Sequence, residues 1–333
     1  MTRIDDLVYA ARAAIIEREQ REAAVLAERY ARLATQMTDT TARLAAEIAA
    51  AGPAAADPAW LDQHALYAQL VRGTSYQMAQ VGRFATTRLA AQHQAMVGQG
   101  ARDGQTLIRT LGGEAQALDA EAVRAQVAVA QQRLTAYDLA RTLPEVAAQV
   151  VRTAAAKVAL LGLGVNGIAA KVKEGFGGVL TKLLFLSRSE MVTPYRDTTL
   201  AVFARNGVAS WQWHAEIERQ HAPCGMCIAM HGRVHPIAEP FATHHGCRCL
   251  PVPVLPSAPP PVSVGGAAWF AQQDATVQLQ VLGRSKMAHY QSGAMALDAL
   301  VSDDVLPDGR RARREMSLME LGLERVRTPR PPA

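Results

Sequence analysis

The first 223 of the 333 residues contain no cysteine, and all four cysteines, Cys224, Cys227, Cys247 and Cys249, fall in one short window. A secreted disulfide scaffold spreads its cysteines through the chain, so the clustering points instead to a metal knot or a redox pair in a reducing compartment. Aromatic residues are scarce at 5%, while hydrophobic residues reach 49%, with alanine dominant. Small apolar side chains let helices approach closely but fill sandwiches and barrels poorly, which argues against an all-β protein. Neither sign of charge is lacking: 35 basic residues against 30 acidic ones leave +5, too small a surplus to indicate nucleic acid by itself. No apolar run reaches membrane-spanning length; the nearest, Val158 to Ala170, is broken by Gly162, Gly164, Asn166 and Gly167. The opening MTRIDDLVYAARA has no apolar core of a signal peptide and carries Asp5 and Asp6, so a soluble chain made in the cytoplasm, with no membrane partner, is expected.

What is present first is helix. From residue 4 to about 50, Leu26, Tyr30, Leu33, Met37, Leu44 and Ile48 recur mostly at steps of 3 or 4 on a charged background. Such a stripe needs a partner, inside the chain or outside it. The pattern stops at Ala51-Gly52-Pro53, and Asp57-Pro58 reads as an N-cap and first-turn proline opening a second helix to about Met96. Gly98, Gly100, Asp103-Gly104 and Gly112-Gly113 then mark a loop-rich stretch. A third helix is expected over about 116–141, and a fourth from Thr142-Leu143-Pro144-Glu145, fading near 162. Short helices follow over 165–205, the last ending at Asn206-Gly207.

Beyond this point the texture changes. Val208 to Trp213 and Arg248 to Val254 read as extended segments, Leu255 to Pro261 as a proline-rich linker, and 267–301 as helix. The end, from Ser302, with Arg310-Arg311 and Arg313-Arg314, reads as a mobile basic tail. The expected class is mainly α with a small β-rich, zinc-ribbon-like lobe (α+β) and long N-terminal helices. The expected division is a helical region 1–150, a core 151–255, a linker with C-terminal helices 256–302, and a tail 303–333.

The cysteine window has the chemistry of a metal site. Cys224 and Cys227 have the bite of one tetrahedral ion, and 19 residues separate them from Cys247, with Cys249 two further on. Cys247 and Cys249 are expected to present their thiols to opposite faces, so that His244, three residues before Cys247, can replace one of them. Zinc suits thiolate and imidazole donors, and a closed structural site is favoured over metal-free packed cysteines or a redox pair. A dithiol oxidoreductase would need a βαβ setting that is not visible. A deaminase would need its two halves further apart than His214-Ala215-Glu216 and Pro223-Cys224. His231 and His235, flanking Gly232-Arg233-Val234, read as surface or hairpin residues, with Gly232 turning the hairpin. No Ser-His-Asp arrangement, phosphate-binding glycine loop or His-Glu-x-x-His is present.

Four pieces, in order, carry a resemblance. They are Leu186-Ser187-Arg188-Ser189-Glu190 with Tyr195-Arg196-Asp197; Trp211-Gln212-Trp213-His214-Ala215; the cysteine window with Met230-His231-Gly232-Arg233-Val234 and His244-His245-Gly246-Cys247-Arg248-Cys249; and Trp269-Phe270-Ala271-Gln272-Gln273, followed by Leu282-Gly283. Together these resemble the Mu F-like head-morphogenesis proteins, the minor head proteins of tailed phages, over about residues 150–302. The chain departs from that pattern at Ser189, at His245, and around Glu216, Glu218 and Arg219. The resemblance implies a virion protein assembled in the host cytoplasm near the portal vertex. Its partners would be portal, capsid or scaffolding proteins and packaged DNA, with which some such proteins travel.

On that reading the chain is expected not to be an enzyme, with no catalytic residues, and Arg188 with Glu190 is expected to lock their helix onto the β lobe. The expected metal ligands are Cys224, Cys227 and Cys247 with His244 or Cys249. The alternatives are a metal-dependent hydrolase or nuclease, an injected effector, and a zinc-containing DNA-binding module.

Overall fold

The structure, a computed structural model, describes residues 3–161, 165–217, 223–244, 246–305 and 311–326. Gly162, Gly164, Glu218, Arg219, His245, Arg310, the side chain of Met37 and the closing residues 327–333 lie outside the described residues. The protein is mainly helical, with long N-terminal helices and, among the described residues, five short strands in two sheets. Helix α1 spans Arg3–Ala51, α2 Pro58–Gln63, α3 Ala65–Thr110, α4 Ala120–Ala136, α5 Leu139–Leu161 and α6 Val165–Arg205. Asp57 caps α2 as expected, its Oδ1 accepting from the Ala59 amide at 2.9 Å.

Two expectations about helix ends fail. The glycines near 100 do not break α3, because two of them are contact points. A methyl on Gly100 would lie 2.4 Å from the Tyr195 carbonyl oxygen, and one on Gly104 3.1 Å from Val202. Residues 165–205 form one helix, not several, with Pro194 inside it. Among the described residues, no helix is long and apolar enough to cross a membrane.

The chain divides into two compact units that interleave along the sequence, one from Met1–Ile15, Met96–Gln126 and Val192–Ala333, the other from Ile16–Ala95 and Val127–Met191. The boundaries expected at 150, 255 and 302 do not coincide with this division, whose cuts fall inside α1, α3, α4 and α6.

The second unit is all helix. Its core takes Leu26, Tyr30 and Leu33 from α1, Met78 from α3, Leu143 from α5 and Phe176 from α6. Leu26, Tyr30, Leu33, Leu44 and Ile48 of the α1 stripe are therefore covered from within the chain, and the Tyr30 hydroxyl donates to the Phe176 carbonyl at 2.8 Å. Charged residues cross the same unit. Glu22 accepts from Arg88 and Gln92, and Glu19 from Arg188. Glu190, almost fully buried, takes Arg133 Nε at 3.2 Å and faces His93 Nε2 at 3.5 Å. Arg188 and Glu190 thus tie helix to helix, correcting the expectation of a lock on the β lobe.

The first unit carries the strands. Strand β1 (Ser210–His214) lies between β2 (Val234–Pro236) and β3 (Leu250–Val254), antiparallel to both. Side chains alternate along β1. Trp211 and Trp213 stack with His235 and Phe241 on one face. Gln212 points to the other, bonding Gly232 and Val262.

Helix α7 (Gly225–Met230) precedes β2, and Gly232 (φ 84°) turns the chain between them. Helices α8 (Gly266–Ala271) and α9 (Ala275–Gln291) pack on α7 through Phe270, Leu282 and Met287 against Ile228. The expected basic tail is, over its described part, an antiparallel hairpin of β4 (Val301–Val305) and β5 (Arg311–Glu315). Arg313 is buried and pairs with Glu239 and Asp303, which is why the segment is ordered despite its charge.

Candidate metal centre

Cys224 is the N-cap of α7, so Cys227 falls one turn into the helix and both thiols emerge on the same side. Leu300 pins this turn: a methyl on Gly225 would lie 2.5 Å from its Cδ1, which accounts for the glycine after Cys224. His244 comes from the loop after β2, and Cys247 and Cys249 from the segment leading into β3. His244 Nε2 lies 3.3 Å from both Cys224 Sγ and Cys227 Sγ. Cys227 Sγ lies 3.7 Å from Cys247 Sγ, and no disulfide links any of the four.

Among the described residues, two groups of donors have the geometry to hold a metal ion, each with its donor atoms within 4.8 Å of one another. One is Cys224, Cys227 and His244, half-buried except for Cys227; the other is Cys227, Cys247 and Cys249, fully buried. Every expected ligand is in one group or the other. The expectation that Cys247 and Cys249 point apart is wrong, because residues two apart on extended backbone share a face.

The donors hold their protons unevenly. Cys224 is drawn down to about 5, first by its hydrogen bond with Cys227, with burial opposing and His244 adding to the fall. Burial works against a charged His244, yet its hydrogen bonds to Cys224 and Cys247 raise it to about 11. Burial also opposes a charged Cys247, but bonds from Cys227 and Cys249 and the Arg196 charge pull it well below the ordinary thiol range. A cation held on these donors would displace their remaining protons.

Two arginines absent from the sequence reading of the site stand behind the second group. Arg196 on α6 donates to the carbonyls of Cys249 (2.8 Å) and Cys247 (2.7 Å) and lies over the Phe241 ring. Arg12 on α1 donates to the Arg248 carbonyl at 3.0 Å and to the His214 carbonyl at 3.2 Å. Arg196 stood within a motif of the resemblance but carried no role there. Arg12 lies 236 residues from Arg248 and has no sequence signal at all.

His214, His231 and His235 make structural contacts. His214 sits between Arg12 and Asp5 (3.2 Å to each) and belongs to neither donor group, so the deaminase-like pattern is not assembled. His231 and His235 are buried, contrary to a surface reading. His231 Nδ1 accepts from the Ala215 amide at 3.0 Å, and His235 stacks on Trp211 and meets Glu239 at 3.1 Å.

The expectation that the chain is not an enzyme is also overturned here. Two groups of Cys and His donors able to ligate a metal ion are consistent with a metal-dependent activity. Compared with known proteins, the chain matches no family model, no curated protein and no solved structure.

Proposed function

We propose that this chain is a zinc-dependent protein of the hydrolytic class, with the ion on Cys224, Cys227 and His244. The observation that carries the reading is the convergence of three donors on a half-buried face. A tetrahedral zinc with arms of about 2.0–2.3 Å needs donor separations of roughly 3.5–3.8 Å. The two separations from His244 to the cysteine sulfurs, 3.3 Å each, need only small adjustment. Thiolate and imidazole are also the donors zinc takes best. Zinc sites that act on substrates keep three protein ligands and leave a fourth position for water, whose pKa falls to about 7. Cys224 and His244 are half-buried, whereas Cys247 and Cys249 are buried.

The test is zinc-loaded protein, prepared under reducing conditions, against DNA, peptide and ester substrates. Cleavage lost in Cys224→Ser and in His244→Ala supports the reading. Absence of cleavage of all three substrate classes by protein carrying a full equivalent of zinc overturns the hydrolytic part.

A second reading, assembly into a phage head near the portal vertex, is favoured by the ordered motifs from Leu186 to Gln273. Its partners would be portal, capsid or scaffolding proteins and packaged DNA, and its location the virion. Co-purification with a portal protein supports it; a chain left out of assembled heads counts against it.

A further inference from the structure

We propose that Arg12 and Arg196 are positioning residues of the metal centre, which fix the backbone of Cys247-Arg248-Cys249 and offset the negative charge of the metal–thiolate group. This inference rests on the metal-binding part of the reading above and extends it to the buried group of Cys227, Cys247 and Cys249, which shares Cys227 with the proposed site. Three consecutive carbonyls, those of 247, 248 and 249, each accept a guanidinium hydrogen bond. These residues precede the first β3 residue paired with β1, Leu250, so the sheet does not set their conformation. The arginines do. The rigid fork of Arg196 spans the carbonyls two apart, which is the arrangement that leaves both thiols on one side.

Charge is the second argument. Arg12 and Arg196 are each only 2% exposed. A buried guanidinium costs several kcal/mol unless an opposite charge faces it. Neither arginine makes an ion pair with a carboxylate among the described residues; their hydrogen bonds go to carbonyls and, for Arg12, to His214. Three thiolates around one divalent ion, as Cys227, Cys247 and Cys249 would supply, leave a net negative charge, and the two guanidinium groups bond the backbone that carries the last two. Because α1 and α6 supply them, the charge is delivered by long helices and not by the loop it steadies.

Groups that support ligands in this way typically change metal affinity by about 10–100-fold. The experiment compares wild type, Arg196→Gln, Arg196→Lys and Arg12→Gln by zinc competition against a chelator and by the absorption spectrum of the cobalt(II) form. Both glutamine variants are expected to weaken zinc by about 10–100-fold and to shift the cobalt–thiolate bands. Arg196→Lys, which keeps the charge, is expected to recover part of the loss. If Arg196→Gln does not fold, Arg196→Lys and Arg12→Gln carry the test, each expected below wild type in affinity. Folded variants with wild-type affinity and an unchanged cobalt spectrum would overturn the proposal. A wild type that takes up neither metal would instead sink the metal-binding reading itself, so the two failures are distinct.

Discussion

His244 Nε2 lies 3.3 Å from Cys227 Sγ across 17 residues of chain. The segment between them leaves α7, turns at Gly232, pairs as β2 with β1, and returns past Phe241, which is stacked against the strand tryptophans. The approach of the two donors is thus held by sheet pairing and aromatic packing at points outside the cluster. Variants that disturb the packing of α7 should therefore disturb the donors too.

Gly266 is the most exacting of these packing points. A methyl there would lie 1.6 Å from the Ile228 carbonyl oxygen, a backbone atom of α7 that cannot step aside. Gly266→Ala is expected to destabilise the first unit by about 3 kcal/mol or more, as overpacking against backbone does. Denaturant unfolding followed by tryptophan fluorescence reads it directly. A variant as stable as wild type would mean that α8 is not seated on α7.

Leu33→Asp separates two uses of the α1 stripe. Leu33 is in the core of the helical unit, so the variant should lose several kcal/mol of stability and much of its helical circular dichroism at moderate urea. A fully stable Leu33→Asp protein would mean that the stripe faces outward, as an assembly surface would.

Glu190→Ala should also be costly, because it leaves Arg133 and His93 around an emptied site in a dry interior. Breaking a buried pair of this kind costs about 3–5 kcal/mol, whereas removing both charges costs far less. The double variant Glu190→Met with Arg133→Met is therefore expected to recover most of the loss in urea unfolding. Additive losses would show that the two side chains do not act as a pair.

His231 gives a pH dependence. Burial first, then the positive neighbours His214 and Arg12, push it down to about 3, with Asp5 opposing. The unfolded chain takes a proton near its ordinary value of about 6.5. Above that pH the stabilising difference is fully present. As pH falls from about 6.5 towards 3 the unfolded state binds a proton the folded state refuses, and stability drops by up to about 1.4 kcal/mol per unit. Urea unfolding between pH 7 and 4.5 should show a steeper loss for wild type than for His231→Gln, and parallel curves would contradict it.

Periodicity and local chemistry made much of this fold readable. The 3–4 spacing of Leu26, Tyr30 and Leu33 marked α1, Asp57-Pro58 marked the start of α2, and the alternation at Trp211 and Trp213 marked β1. The glycines near 100 misled because close approach of Tyr195 and Val202, a tertiary fact, requires small residues inside a helix. The C-terminal hairpin was missed because its order comes from the Arg313–Glu239 pair, whose partners lie 74 residues apart. All five donors were legible from residue type and spacing. Their arrangement was not, since the shared face of Cys247 and Cys249 was misjudged and the arginines behind them come from distant helices.

The most direct test of the central claim is zinc K-edge X-ray absorption, with elemental analysis, on protein purified under reducing conditions without chelator. The account expects about one zinc per chain, with sulfur neighbours at about 2.3 Å and at least one nitrogen neighbour at about 2.0–2.1 Å, the latter lost in His244→Ala. Protein that is folded, carries no zinc and acquires none on addition of the metal would contradict it.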